Sequence, residues 1–162
     1  MQTTREPAHT LTPGQGAAYW LLGSLVTIKV PGELTDNALS VSEHLAPVGF
    51  GLPPHIHHVE DEILCVLEGQ IVGRCGEHPI GGGAGSLIFL PRGTAHAWWV
   101  VGTTPARLLI VTTPAGFERF CAAAGEPAQE HALPPDPVAD ATLEKLLAVA
   151  PQYGLEMLPA AT

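Results

Sequence analysis

Positive charge is scarce in this sequence. Its 162 residues hold 7 Lys and Arg against 16 Asp and Glu, a formal net charge of -9 at pH 7. So acidic a chain is poorly suited to a nucleic-acid backbone or an anionic membrane, which repel it and find few counter-charges on it. The basic residues, Arg5, Lys29, Arg74, Arg92, Arg107, Arg119 and Lys145, form no cluster that would hold a phosphate. Cysteine is sparse as well: Cys65, Cys75 and Cys121 are odd in number and lack C-x-x-C spacing. That argues against a disulfide framework and a thiolate zinc site, and points to reduced thiols in a cytoplasm. No long hydrophobic run is present. The longest apolar stretch, 17–30, is interrupted by Gly23, Ser24, Thr27 and Lys29, so it reads as two strands or one bent strand rather than a bilayer span. Residues 1–11 are polar and lack the apolar core of a secretory signal. The glycine-rich run 81–85 precedes neither Lys-Ser/Thr nor a G-x-G-x-x-G helix start, so it is assigned to a turn and not to a phosphate loop.

What the sequence does contain is turn-forming backbone among apolar residues. Eighteen Gly and 16 Pro accompany 46% hydrophobic residues, the composition of many short strands in one domain. Helical periodicity is absent from 17 to 113, where strands are predicted over 19–30, 38–45, the two segments described below, 98–101 and 107–112. The expected architecture is an all-β jelly roll closed into a barrel over 17–114, after a flexible leader, 1–16. A helical extension is expected over 115–162. Phe117, Phe120 and Cys121 are spaced for a short helix that Gly125 ends. Beyond a Pro-rich linker, Leu143, Leu146, Leu147 and Ala150 recur at helical spacing, with Asp136 or Asp140 as cap. Their stripe is expected to pack on the barrel or on a second subunit.

Two segments carry the chemistry. Residues 49–69 read G-x5-H-x-H-x4-E-x6-G and residues 85–96 read G-x5-P-x-G-x2-H. Side chains two apart on a strand share a face, so His55 and His57 present their imidazoles together while His58 points away to solvent. Glu62 opens the β-prone run 63–67 after a polar turn, and within Glu60, Asp61 and Glu62 only the last has both the spacing and the strand position of a ligand. Glu60 and Asp61 are expected to be solvated. His96 follows a tight 91–94 corner. Buried imidazoles and a carboxylate in an apolar interior need a partner, and a cation supplies one. By parity Leu64 and Val66 lie on the face of Glu62, and Trp98 and Val100 on the face of His96. These four are assigned to an apolar substrate pocket. His44 is read as a satisfied structural histidine, Cys65 as a core thiol, and Phe50, Phe89 and Trp99 as core.

These segments resemble the two sequence motifs of the cupin superfamily, with the similarity extending over about residues 35–112. The resemblance implies a double-stranded β-helix and identifies His55, His57, Glu62 and His96 as ligands of one divalent transition metal per chain, chosen among Fe, Mn, Ni, Co, Cu and Zn. One position departs from the pattern: the second motif usually ends in Asn four residues after its His, where this chain has Val100. Small bacterial cupins with a helical tail, quercetin 2,3-dioxygenase-like, are the most similar in outline. They imply a dioxygenase whose partners are a small enolic or aromatic substrate and dioxygen, with Glu62 also assisting deprotonation, in a homodimer. A non-catalytic small-molecule-binding module and a redox-neutral isomerase or epimerase are the alternatives. The latter usually takes phosphorylated or nucleotide-linked sugars, for which cationic groups are lacking.

Overall fold

The computed structural model describes residues 8–135 and 140–159. Short strands follow one another as glycine and proline punctuate the chain. They are β1 (Ala18–Leu21), β2 (Ser24–Val30), β3 (Ser40–Ala46), β4 (His55–His57), β5 (Asp61–Glu68), β6 (Gln70–Cys75), β7 (His78–Gly83), β8 (Leu87–Leu90), β9 (His96–Val101) and β10 (Ala106–Thr113). Helix α1 (Phe117–Ala124), β11 (Glu126–Pro127), helix α2 (Asp140–Val149) and β12 (Leu155–Met157) follow. The stretch 17–30 is two strands, reversing at Leu22 and Gly23, whose φ angles of 49° and 86° make the tight turn that glycine tolerates best.

Two antiparallel sheets face each other. One has the order β11-β1-β2-β3-β10-β5-β8 and the other β12-β4-β9-β6-β7. From β4 to β10 the chain crosses repeatedly between them, which is the jelly-roll course, so each motif segment contributes a strand to both sheets. The sheets do not close into the expected barrel: β11 and β8 are edges of the first, β12 and β7 of the second. Alternation fills the space between them. β5 buries Glu62, Leu64 and Val66; β9 buries His96, Trp98 and Val100; β10 buries Ala106, Leu108, Ile110 and Thr112.

Several local expectations are corrected. Gly81, Gly82 and Gly83 belong to β7, and only 84–85 make the turn. A Cβ at Gly81 would meet the Ile71 carbonyl at 2.5 Å, so the glycines let β7 lie close on β6. Phe89 and Trp99 are 56% and 42% exposed because they occupy the outward parity of their strands, while Phe50 and Trp98 are core. Cys65 is likewise on the outer face of β5 and half-buried, not a core thiol. All three cysteines are unpaired.

The segment after 114 is more than helical. Gly125 ends α1, and Leu146 and Ala150 are buried, but Leu143 and Leu147 stay largely exposed. Asp136 and the side chain of Asp140 lie outside the described residues. β11 pairs with β1, and β12 pairs with β4, aligning Leu155 with His57 and Met157 with His55. At the other end, the described part of the leader is tied to β2: Lys29 Nζ donates to the Gln15 carbonyl at 2.9 Å, and His9 Nε2 donates to the Lys29 carbonyl at 3.1 Å. No helix among the described residues is long and apolar enough to cross a membrane.

Candidate metal centre

The two-residue strand period sets the first pair of donors. His55 and His57 occupy the buried positions of β4, with ring centroids 5.1 Å apart. β9 runs antiparallel beside β4 and places His96 directly opposite His55, ring centroids 4.5 Å apart. The fourth donor comes from the facing sheet, where Glu62 sits between Leu90 of β8 and Thr112 of β10. One ligand atom from each of the four lies within 4.8 Å of the others. All four residues are buried, at 1–3% exposure.

The loops between these strands are anchored by polar contacts. The Asp61 carboxylate accepts hydrogen bonds from Arg92 N at 2.9 Å, Nε at 3.1 Å and Nη2 at 2.9 Å, which fastens the 91–94 corner to the strand of Glu62. Those hydrogen bonds hold the Asp61 carboxyl down to about 2. Gly93 N donates to the His57 carbonyl at 2.8 Å, joining the same corner to β4. Asp61 was expected to be solvated; it is half-buried and acts as the clamp between the two motif segments.

Each imidazole is held by its Nδ1. The acceptor is the Pro53 carbonyl for His55 at 2.8 Å, the Thr94 carbonyl for His96 at 3.2 Å, and Glu60 Oε2 for His57 at 3.3 Å. With the proton on Nδ1, Nε2 carries the lone pair, as a metal ligand requires. His57 Nε2, His96 Nε2 and Glu62 Oε2 are buried and have no hydrogen-bond partner among the described residues. Glu62 Oε2 lies 3.0 Å from His96 Nε2 and 3.5 Å from His57 Nε2, so the orphaned atoms face one another. A buried polar atom left unpaired costs on the order of 1–3 kcal/mol, and three around one point make a set that a cation satisfies at once. The donor chemistry, three neutral imidazoles and one carboxylate, fits a divalent first-row ion. These four residues can hold one metal ion.

The same neighbours set the electrostatics of the metal-free site. Burial, followed by the neighbouring His96, brings the His55 imidazole down to about 4, keeping it neutral and able to donate a lone pair. Burial alone would raise the Glu62 carboxyl, but the His96 ring 3.0 Å away, followed by His57 and His55, overcomes it and brings Glu62 down to about 2. His57 moves upward: burial opposes its charging, and the Glu60 hydrogen bond together with the Glu62 and Glu60 charges outweighs burial.

Residues 41–112 match the family model for the cupin domain. That stretch, under half of the chain, is similar to a cupin domain in sequence. Solved cupins share its fold: an RmlC-like cupin from Shewanella frigidimarina aligns with a TM-score of 0.59 at 16% identity, over 72% of this chain and 99% of that one. A protein from Thermotoga maritima, described as a predicted oxalate decarboxylase, aligns at 0.56 and 20% identity over 63% and 94%. The cupin domain of Schizosaccharomyces pombe Cnp3 aligns at 0.53 and 16% identity over 61% of this chain and 66% of that one, just under two thirds of that relative. No curated protein matches the chain in sequence. At these identities the fold is what is shared.

The other residues singled out in the sequence fall as follows. Glu60, expected in solvent, is 2% exposed and pairs with His57; the acidic run 60–62 hides it because only the turn, which no strand period describes, decides where it points. His58 is exposed and pairs with Glu156 of β12 at 2.7 Å. His44 is buried, with its Nε2 3.1 Å from Ser42 Oγ and its ring stacked on Phe117 at 6.0 Å. Leu64, Val66, Trp98 and Val100 are 0–2% exposed and form part of the core that surrounds the donors. Phe117 of α1 also touches the His57 ring, at 5.4 Å between centroids, and Phe120 and Tyr153 extend that aromatic row toward the end of the chain. Sequence reasoning missed this cover over His57.

Proposed function

We propose that this cupin domain is a metal-dependent dioxygenase of flavonol-like or other enolic small molecules, similar to quercetin 2,3-dioxygenase. The observation that carries the reading is the convergence of three imidazoles and one carboxylate in an interior whose buried polar residues, among those described, include no Lys or Arg. Such a site favours an uncharged organic substrate that meets the metal through an oxygen, over one with phosphates. When bound, a divalent transition metal supplies Lewis acidity toward that oxygen and one-electron chemistry toward dioxygen. Glu62 accepts the proton of the enolic hydroxyl, its carboxylate being ionised and already aimed at the shared space. The three histidines fix the geometry through their Nδ1 anchors. Leu64, Val66, Trp98 and Val100, buried around the donors, exclude water and present apolar surface to such a substrate.

Metal loading under anaerobic conditions, followed by oxygen-electrode recordings with flavonols and related enols, tests the reading. Oxygen uptake matched to substrate loss supports it; a metal-replete protein that consumes no oxygen across the panel removes it. Turnover without oxygen would instead indicate the redox-neutral reading. A homodimer completes the proposal: Leu87 and Phe89, 67% and 56% exposed on the edge strand β8, leave an apolar margin for a second copy. Light scattering of wild type against Phe89→Glu reads that out, and a wild-type monomer at micromolar concentration would end it.

A further inference from the structure

The three imidazoles of the site are not held alike. His55 and His96 lean on backbone carbonyls, which the chain supplies wherever a strand begins, whereas His57 leans on a side chain, Glu60. Glu60 is 2% exposed, and the ion pair that the structure gives it is with His57. A buried carboxylate without a cation is costly, so its place three residues after a ligand histidine calls for a physical reason. Gly116 lies beside it: a Cβ there would stand 2.8 Å from Glu60 Oε1, so the glycine leaves the carboxylate room where it lies.

We propose that Glu60 is a positioning residue of the metal centre, holding His57 by Nδ1 and providing the second of two buried negative charges that balance a divalent ion. This rests on the reading that His55, His57, Glu62 and His96 hold a metal. Three neutral imidazoles with Glu62 leave a bound dication with one uncompensated positive charge in an apolar interior; Glu60, touching a ligand but not the ion, cancels it. The carboxylate also makes the imidazole a stronger donor, as hydrogen-bonded carboxylates do for metal-bound histidine generally.

The test compares wild type with Glu60→Gln, Glu60→Asp and His57→Ala, each metal-free and then titrated with Co(II) against a competing chelator. Three readouts are taken: affinity, the visible spectrum of the bound cobalt, and the melting temperature of the metal-free protein. Glu60→Gln keeps the size of the side chain and loses its charge. It is expected to weaken cobalt binding by about 10- to 100-fold and to shift the cobalt bands, while the metal-free protein melts no lower than wild type. Should the glutamine variant fail to fold, Glu60→Asp, which retains charge but retracts the carboxylate, is expected to lose affinity in the same direction. Wild-type affinity and an unchanged cobalt spectrum in the variant that folds overturn the proposal, whatever happens to melting temperature. A wild-type protein that binds no cobalt overturns the metal reading itself, and this proposal with it.

Discussion

Replacing His44 with glutamine tests how the interior carries a titratable ring outside the ligand set. Burial, partly opposed by the Glu62 charge, brings His44 from its ordinary 6.5 down to about 4. The folded protein therefore keeps the ring neutral where the unfolded chain would protonate it. Above pH 6.5 neither state binds the proton and nothing is lost; between 6.5 and 4 the unfolded state gains it first, so stability falls with pH. At pH 5 the loss from this one group is about 2 kcal/mol, approaching about 3 kcal/mol below pH 4. Urea unfolding of metal-free protein at pH 7.5 and pH 5 measures the total drop. His55 adds a drop of the same sign, so the informative quantity is the difference between wild type and His44→Gln. The variant should lose about 2 kcal/mol less than wild type between the two pH values, even though removing a packed ring lowers its stability at both. Equal drops in the two proteins would show that His44 takes up its proton in the folded state or is not buried in solution, and the electrostatic account of the interior would fail.

Replacing His55, His57 or His96 singly by alanine should abolish tight binding of a divalent ion, and adding Zn(II) or Co(II) should raise the melting temperature of wild type but not of these variants, as scanning calorimetry would show. Leu155→Ala, which empties a 2%-exposed position aligned with His57, should destabilise the fold by about 2–5 kcal/mol and lower metal affinity as well; unchanged affinity at full folding would show that β12 does not support β4. Among the cysteines, half-buried Cys65 should react with a thiol reagent first in native protein, while Cys121, whose thiol burial and then Glu118 push well up, should react only on unfolding.

The paired histidines were legible because strand geometry is a two-residue code, whereas Glu62, of opposite parity to His57, was marked by its place at the start of a β-prone run. His55 and His57 had to share a face, and the parity of His96 and Trp98 had to agree, wherever the strands lay. The fold class was legible for a related reason: turn residues at short spacing with no helical period leave few all-β arrangements. Glu60 and Asp61 were not readable, since both lie where β4 gives way to β5 and the turn alone sends one inward to His57 and the other to Arg92. Phe89 and Trp99 show the opposite failure. Parity already placed Trp99 away from Trp98, but apolar identity outweighed it, although large apolar side chains are common on protein surfaces. β12 was hidden because three residues, Leu155, Glu156 and Met157, carry too little pattern to announce a strand, and their partner lies about a hundred residues earlier.

That late strand has a consequence for the order in which the molecule becomes functional. β4 is three residues long, and β12 closes one of its two sides. During synthesis the histidines of β4 emerge well before residues 155–157, so a nascent chain displays its ligands with that flank open to solvent. The flank of β4 that carries His55 and His57 is therefore closed only once translation has delivered β12, and a cut between α2 and β12 would free that flank to open again.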